Sequence, residues 1–145
     1  MILVSGESLL PVPPASTIPF MVNNKDIRRR MNHYKWDTIA DETLKPLVSR
    51  RAIHTEHMTI ARLTLGKGAL VPLHQHVNEQ VSNVESGALR FVIDDQELIV
   101  RAGESVCIPP NAPHLVLALE DTQVTDIFTP RREDWISGDD AYLRR

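Results

Sequence analysis

Short strand-like runs separated by turn residues fill the sequence from about residue 49 to residue 130. Residues 88–93 are one such run, with apolar side chains at alternate positions that would share one face of a strand. Pairs such as Ser86-Gly87 and Glu120-Asp121, which favour turns, separate the runs. Short strands with turn signals at roughly 8–12-residue spacing are typical of an all-β sandwich or barrel. Because no long helical pattern is present, we predict an all-β fold.

The length and composition are those of one compact domain. The chain has 145 residues, a net charge of −3 and 42% hydrophobic residues. This length is enough to bury a single core, and the small net charge argues against nucleic-acid and membrane partners. No apolar run approaches the ~18 residues of a membrane-spanning helix. The single cysteine, Cys107, excludes a disulfide framework, favours a cytoplasmic location and is expected to be a small core residue.

The two ends of the chain differ from its middle. Four prolines lie between positions 11 and 19, and the segment lacks the basic start of a secretory signal. We therefore expect an extended N-terminal arm over residues 1–30 and a folded domain over residues 31–145. The arm is either a solvated tail or a strand added to a neighbouring subunit. Residues 131–145 are predicted to form a short helix or coil, and residues 41–46 a turn or one helical turn.

Two histidines, His74 and His76, stand one residue apart in the middle of the chain. If the segment is a strand, its side chains alternate between faces, so both histidines and Gln80 point the same way. Three nitrogen or oxygen donors on one face make up most of a metal site. A bulge in the strand would bring Glu79 to the metal in place of Gln80. Three other histidines are expected to have ordinary surface or core positions: His33, His54 and His57.

The spacing around these residues resembles that of the cupin superfamily. Gly68, His74, His76, Gln80 and Gly87 follow the first cupin motif, with glutamine in place of its usual glutamate. The second motif is matched by three residues further along: Gly103, Pro109 and His114. The resemblance implies a double-stranded β-helix, or jelly-roll, barrel. It also implies one divalent metal ion, bound through four side chains: His74, His76, Gln80 and His114.

Within that superfamily, the chain resembles the small KdgF-like cupins of pectin degradation. The resemblance rests on residues 74–80 and on the ending from Asp126 to Trp135. It implies a homodimer that acts on unsaturated uronates, with Asp126, Phe128 and Arg132 in the substrate pocket.

The residue types suggest roles for this set. Three imidazoles and an amide are neutral ligands, so a bound metal keeps its +2 charge and acts as a strong Lewis acid. Imidazole and amide donors suit Zn, Ni, Mn, Fe, Co or Cu equally. Asp126 could move protons, and Arg132 could hold a sugar carboxylate with two parallel hydrogen bonds. Phe128 and Arg62 are the predicted substrate-binding residues, with Arg62 reaching inward from its strand.

The predicted function is that of a metal-dependent lyase or isomerase, which opens or ketonises an unsaturated uronate or a similar keto sugar. One alternative is a cupin dioxygenase acting on a phenolic or diketone substrate, although a ligand set without a carboxylate is less suited to activating O₂. The other alternative is a small-molecule-binding module without catalytic activity. All three hypotheses involve a small-molecule partner, and none involves nucleic acid or a membrane.

Overall fold

The computed structural model describes residues 31–145 of the chain. The predicted arm over residues 1–30 lies outside the described residues. Ten strands and one α-helix follow in chain order: β1 (Glu42–Lys45), β2 (Val48–His54), β3 (Thr59–Leu65), β4 (Leu70–His74), β5 (Glu79–Ser86), β6 (Ala88–Ile93), β7 (Gln96–Arg101), β8 (Ser105–Ile108), β9 (His114–Ala118), β10 (Thr122–Thr129) and α1 (Glu133–Ser137). Two short 3-10 turns, Trp36–Thr38 and Ala141–Arg144, flank this set.

The strands form two antiparallel sheets that share one hydrophobic core. The larger sheet has the order β1-β2-β3-β10-β5-β8, and the smaller has the order β4-β9-β6-β7. Leu63 and Val84 from the larger sheet join Phe91 and Val116 from the smaller one in a single buried cluster. The all-β, jelly-roll prediction is confirmed. None of the helices in the described part of the chain is long and apolar enough to cross a membrane.

The centre of the larger sheet carries the predicted site residues on its inner face. Strand β10 lies between β3 and β5, and its side chains alternate between buried and more exposed positions. Asp126 is paired with Ser82 on β5, and Phe128 is paired with Gln80 on the same strand. Since paired residues on neighbouring strands point to the same side, all four side chains face the barrel interior.

Two turns show how individual residues close the barrel. Asp94 and Asp95 both have positive φ, 46° and 65°, as a two-residue hairpin turn of type I′ requires. The return strand β7 therefore begins directly after the turn, at Gln96. Gly87 has a φ of +84°, and a Cβ there would lie 2.3 Å from the carbonyl oxygen of Asp121. Only glycine fits this last position of the first motif.

Two local predictions were wrong. Residues 41–46 were expected to form a turn, but Glu42–Lys45 is an edge strand paired with β2, because Leu44 packs its side chain into the core. Cys107 was expected to be buried, but it is exposed. Its neighbours Val106 and Ile108 point inward, so strand alternation turns the thiol outward.

Candidate metal centre and substrate pocket

Three histidines converge at one end of the barrel. His74 ends β4 and is paired in register with His114, which begins β9. His76 follows in the loop before β5, and the backbone N–H of Asn111 donates to its carbonyl oxygen at 2.8 Å. The ligand nitrogens of the three side chains lie within 4.8 Å of one another. The expectation that one continuous strand carries His74 and His76 is corrected, because β4 ends at His74 and a loop carries His76 inward.

Each imidazole is oriented by a backbone carbonyl. The Nδ1 atoms of His74, His76 and His114 lie 2.8, 3.0 and 2.8 Å from the carbonyl oxygens of Pro72, Asn78 and Ala112. A carbonyl accepts a hydrogen bond, so each Nδ1 carries the proton and each Nε2 keeps its lone pair. Such contacts fix the ring orientation of metal-binding histidines.

The electrostatics keep these rings neutral at physiological pH. Burial lowers the pKa of His74 to about 3 and that of His76 to about 4, and nearby cationic groups act in the same direction. Burial also lowers the pKa of His114. The Nε2 atom of His114 is buried and has no hydrogen-bond partner among the described residues. A buried lone pair without a partner is unfavourable unless a ligand binds it.

Gln80 reaches the cluster from β5 with its carbonyl end. Its Nε2 donates to Ser82 Oγ at 2.9 Å, and Ser82 Oγ donates to Asp126 Oδ1 at 2.6 Å. This line of hydrogen bonds turns Gln80 Oε1 toward His76 Nε2, 3.1 Å away. Both of these atoms are then acceptors, and their repulsion would be relieved by a cation that binds both.

Gln80, and not Glu79, faces the histidines. Gln80 is buried, whereas Glu79 is exposed on the outer side of β5. The pairing of β5 with β10 has no bulge at these two residues. The donors are therefore three imidazole nitrogens and one amide oxygen, a set that fits a divalent transition metal without selecting one. Ser82, which orients the amide, was missed in the sequence, although it is two residues beyond Gln80 on the same strand face.

The acidic and aromatic residues of β10 lie beside this cluster. Asp126 is buried, and burial raises its pKa to about 6, although hydrogen bonds from Ser82 and Gln80 act in the opposite direction. The ring of Phe128 lies 5.7 Å from that of His76 and 5.0 Å from that of Trp135, measured between centroids. The side chains of Asp126 and Phe128 line the cavity beside the histidines, and a substrate role for them stays a prediction.

Arg132 is in the pocket, but most of its hydrogen-bonding capacity is already used. Its side chain is 1% exposed, and its guanidinium donates twice to Asp134, at 2.9 and 2.6 Å. Arg132 Nη2, which makes the shorter of these two bonds, also donates to the hydroxyl of Tyr142 at 2.6 Å. Burial opposes the charge, yet these hydrogen bonds raise the pKa of Arg132 above its usual value. The group is a fixed cation beside the cluster.

Arg62 is not in the pocket. Its strand neighbours Ala61 and Leu63 point into the core, so Arg62 points outward and is exposed. Its guanidinium lies 4.4 Å from the ring centroid of Trp36 on the outer surface. This position corrects the prediction that Arg62 reaches inward to bind substrate.

The histidine cluster opens into a small cavity inside the barrel. Its polar lining includes His74, Gln80, His114, Asp126, Arg132 and Tyr142. The volume open to water inside it is about 40 Å³. Tyr142 comes from the C-terminal 3-10 turn, and no motif in the sequence connects it with the histidines.

Comparisons with known proteins agree with this description. The cupin domain family matches residues 61–128. The pectin degradation protein KdgF of Dickeya dadantii (strain 3937) is 24% identical over 103 residues, which is 70% of this chain and 90% of that protein. Among solved structures, KdgF from Halomonas sp. is 25% identical with a TM-score of 0.69, covering 73% of this chain and 99% of that one. An RmlC-like cupin from Shewanella frigidimarina is 24% identical with a TM-score of 0.68, covering 72% of this chain and 96% of that one. Residues 61–128 therefore match the cupin domain family, and the chain resembles KdgF proteins in sequence and fold.

Proposed function

We propose that this cupin is a metal-dependent enzyme that converts an unsaturated uronate into its open-chain keto form. The observation that carries the proposal is the line of hydrogen bonds from Gln80 through Ser82 to Asp126. It joins a metal-ligand candidate to a buried carboxylate in the same cavity. The similarity to pectin degradation proteins supports the substrate class.

His74, His76, His114 and Gln80 would hold the ion, which, when bound, supplies Lewis acidity toward substrate oxygens. The reaction is an isomerisation, so its atoms balance without a further reactant. A proton leaves the anomeric hydroxyl, the bond from C1 to the ring oxygen breaks, and a proton is added at C4 of the resulting enol.

Asp126 is the residue that holds and moves the proton in this proposal. Its carboxylate is buried and accepts from Ser82, so its position is fixed while its charge is poorly solvated. Such a carboxylate acts as a general acid or base, a role typically worth 10²–10⁴-fold in rate. Arg132 would bind the substrate carboxylate through the nitrogen that now donates to Tyr142.

The test is an activity measurement on metal-loaded protein with 4,5-unsaturated galacturonate. The ultraviolet absorbance of the unsaturated acid should fall faster than in buffer. The Asp126→Asn variant should lose at least about a hundredfold in rate while it keeps its metal. Asp95→Asn in the exposed hairpin turn is the control and should keep full activity.

Two results would contradict the proposal. If the loaded protein leaves the absorbance unchanged, the substrate assignment is wrong. If Asp126→Asn is as active as the wild type, the proton-transfer role is wrong. An anaerobic assay distinguishes the dioxygenase alternative, since only that activity requires O₂.

The family resemblance also predicts a homodimer, which light scattering on purified protein would test.

A further inference from the structure

The last seven residues, 139–145, contribute Tyr142 and Leu143 to the wall of the cavity. We call them the C-terminal cap. Helix α1 before them is anchored by Trp135, which is buried between the guanidinium groups of Arg50 and Arg132, 4.3 and 4.4 Å from its ring. Gly138 separates the helix from the cap in a left-handed conformation with a φ of +81°.

The side chain of Tyr142 extends from the cap into the site. Its ring stacks on that of His74 with a centroid distance of 4.4 Å and an interplanar angle of 23°. Its hydroxyl accepts hydrogen bonds from Arg132 at 2.6 Å and from Trp135 Nε1 at 3.3 Å. The phenol oxygen therefore lies where an oxygen of a bound carboxylate would meet Arg132.

With the cap in this position, the Tyr142 side chain occupies contacts that a bound acid would need. Its ring covers that of His74, and its hydroxyl takes a hydrogen bond from Arg132. A ligand that binds Arg132 and contacts His74 at these points must displace Tyr142.

The contacts that hold the cap are largely ionic. Asp140 accepts from Arg50 and from Arg144, at 2.9 Å in each case, and Arg144 also pairs with Glu42. Lys45 Nζ donates to the carbonyl oxygen of Arg145 at 2.6 Å. The side chain of Arg144 is 40% exposed, so salt screens its ion pairs. Leu143 is the one aliphatic cap residue that is buried in the core.

We propose that the C-terminal cap is a releasable plug and that Tyr142 is a specificity-determining residue of the site. A ligand gains access when it brings an anionic oxygen to Arg132 in place of the phenol and displaces the ring from His74. The ligand class, a small carboxylic acid, rests on the proposed function, whereas the opening of the cap does not. Because only the open form binds, the apparent dissociation constant rises as the open fraction falls.

Two measurements test the opening without enzymatic activity. The first is hydrogen–deuterium exchange in residues 139–145 of the purified protein. Arg144→Ala and Tyr142→Ala should raise exchange in the cap several-fold and leave the amides of β10 unchanged. The second is the rate at which dipicolinate removes Co²⁺ from cobalt-loaded protein, which should rise about tenfold in the same variants.

The control is Arg90→Ala, which removes a partly exposed arginine on β6 that is paired with Glu97. It should match the wild type in both measurements. Added salt should speed hydrogen–deuterium exchange of the cap in the wild type and have little effect in Arg144→Ala. The wild-type measurement with and without salt also tests the proposal if a variant folds poorly. If neither the substitutions nor added salt change the hydrogen–deuterium exchange rate in the cap, the proposal is overturned.

A third measurement tests the specificity role and separates it from the proposed function. Tyr142→Phe keeps the stacked ring but removes the oxygen from Arg132, so the KM for 4,5-unsaturated galacturonate should fall several-fold with kcat little changed. Turnover by a protein whose cap does not open would refute the plug and leave the proposed function standing. An opening cap without turnover of the uronate would refute the proposed function and leave the plug standing.

Discussion

The histidine cluster and the C-terminal cap meet at the same cavity but are held in different ways. The rings of His74, His76 and His114 are each oriented by a backbone carbonyl, and His74 and His114 lie paired at the ends of neighbouring strands. The cap is held mainly by side-chain ion pairs and by one stacked ring. The backbone pairing of β4 with β9, which carries His74 and His114, opens only when the sheet unfolds. Side-chain contacts near a chain end open in local fluctuations. The site therefore combines a rigid set of ligands with a movable cover.

The largest effect is expected from removing a ligand on the rigid side. His76→Ala should weaken binding of a divalent metal by more than about a hundredfold, because the loss of a supporting hydrogen bond alone costs 10–100-fold. The measurement is a competition titration with a chelating dye. His57→Ala, at a histidine whose side chain is 84% exposed, is the control and should bind as the wild type does. Equal affinities in the two variants would contradict the ligand assignment.

A smaller effect is expected from the residue that orients Gln80. Ser82→Ala removes the acceptor for the amide and the donor to Asp126, so the carbonyl end of Gln80 is no longer aimed at His76. We expect metal affinity to fall about 10–100-fold in the same titration. Ser105→Ala removes an exposed hydrogen bond to Asn83 and should leave affinity unchanged. A Ser82→Ala variant that binds normally would show that the amide does not need this support.

The smallest effect concerns the movable side. Asp140→Asn should speed hydrogen–deuterium exchange in the cap several-fold at neutral pH, because it weakens the pairs with Arg50 and Arg144. Asp139→Asn, at the exposed neighbouring residue, is the matched control. If the two variants exchange alike, the ion pairs do not hold the cap.

Acid should release the cap in the wild type. Burial opposes the charge of Asp140, but hydrogen bonds from Arg144 and Arg50 hold its pKa below the usual 3.8. Hydrogen bonds from the same arginines hold the pKa of Glu42 below 4.5. Since both values are depressed in the fold, the stabilisation is complete above about pH 4.5 and is lost as the pH falls through them. Cap exchange, corrected for the intrinsic rate, should therefore rise only below pH 4.5; a rise between pH 7 and 5 would contradict this assignment.

The rigid side of the site was largely predictable from the sequence, because spaced motifs describe residues whose positions the barrel backbone determines. His74, His76, Gln80 and His114 were identified in this way. The orientation of Arg62 was predicted wrongly. Both faces of its strand are largely apolar in sequence, so the sequence does not show which face points inward. The burial of Ala61 and Leu63 in the structure shows that Arg62 points outward.

The movable side was not predictable in the same way. Residues 131–145 were predicted as a short helix or coil, and they do form short helical segments. That prediction carries no information on what the segment covers. Tyr142 reaches His74, 68 positions earlier in the chain, through packing that depends on Trp135 and on the pairing of Asp140 with Arg50. Such long-range contacts between side chains have no local sequence pattern.

We propose that three histidines and Gln80 hold one divalent metal ion. This ligand set can be tested by elemental analysis of tag-free protein reloaded with metal, followed by X-ray absorption spectroscopy of the bound ion. We expect one ion per chain, with a first coordination shell of nitrogen and oxygen atoms that contains three imidazoles. Protein that takes up no ion on reloading, or an ion bound without imidazole, would contradict it.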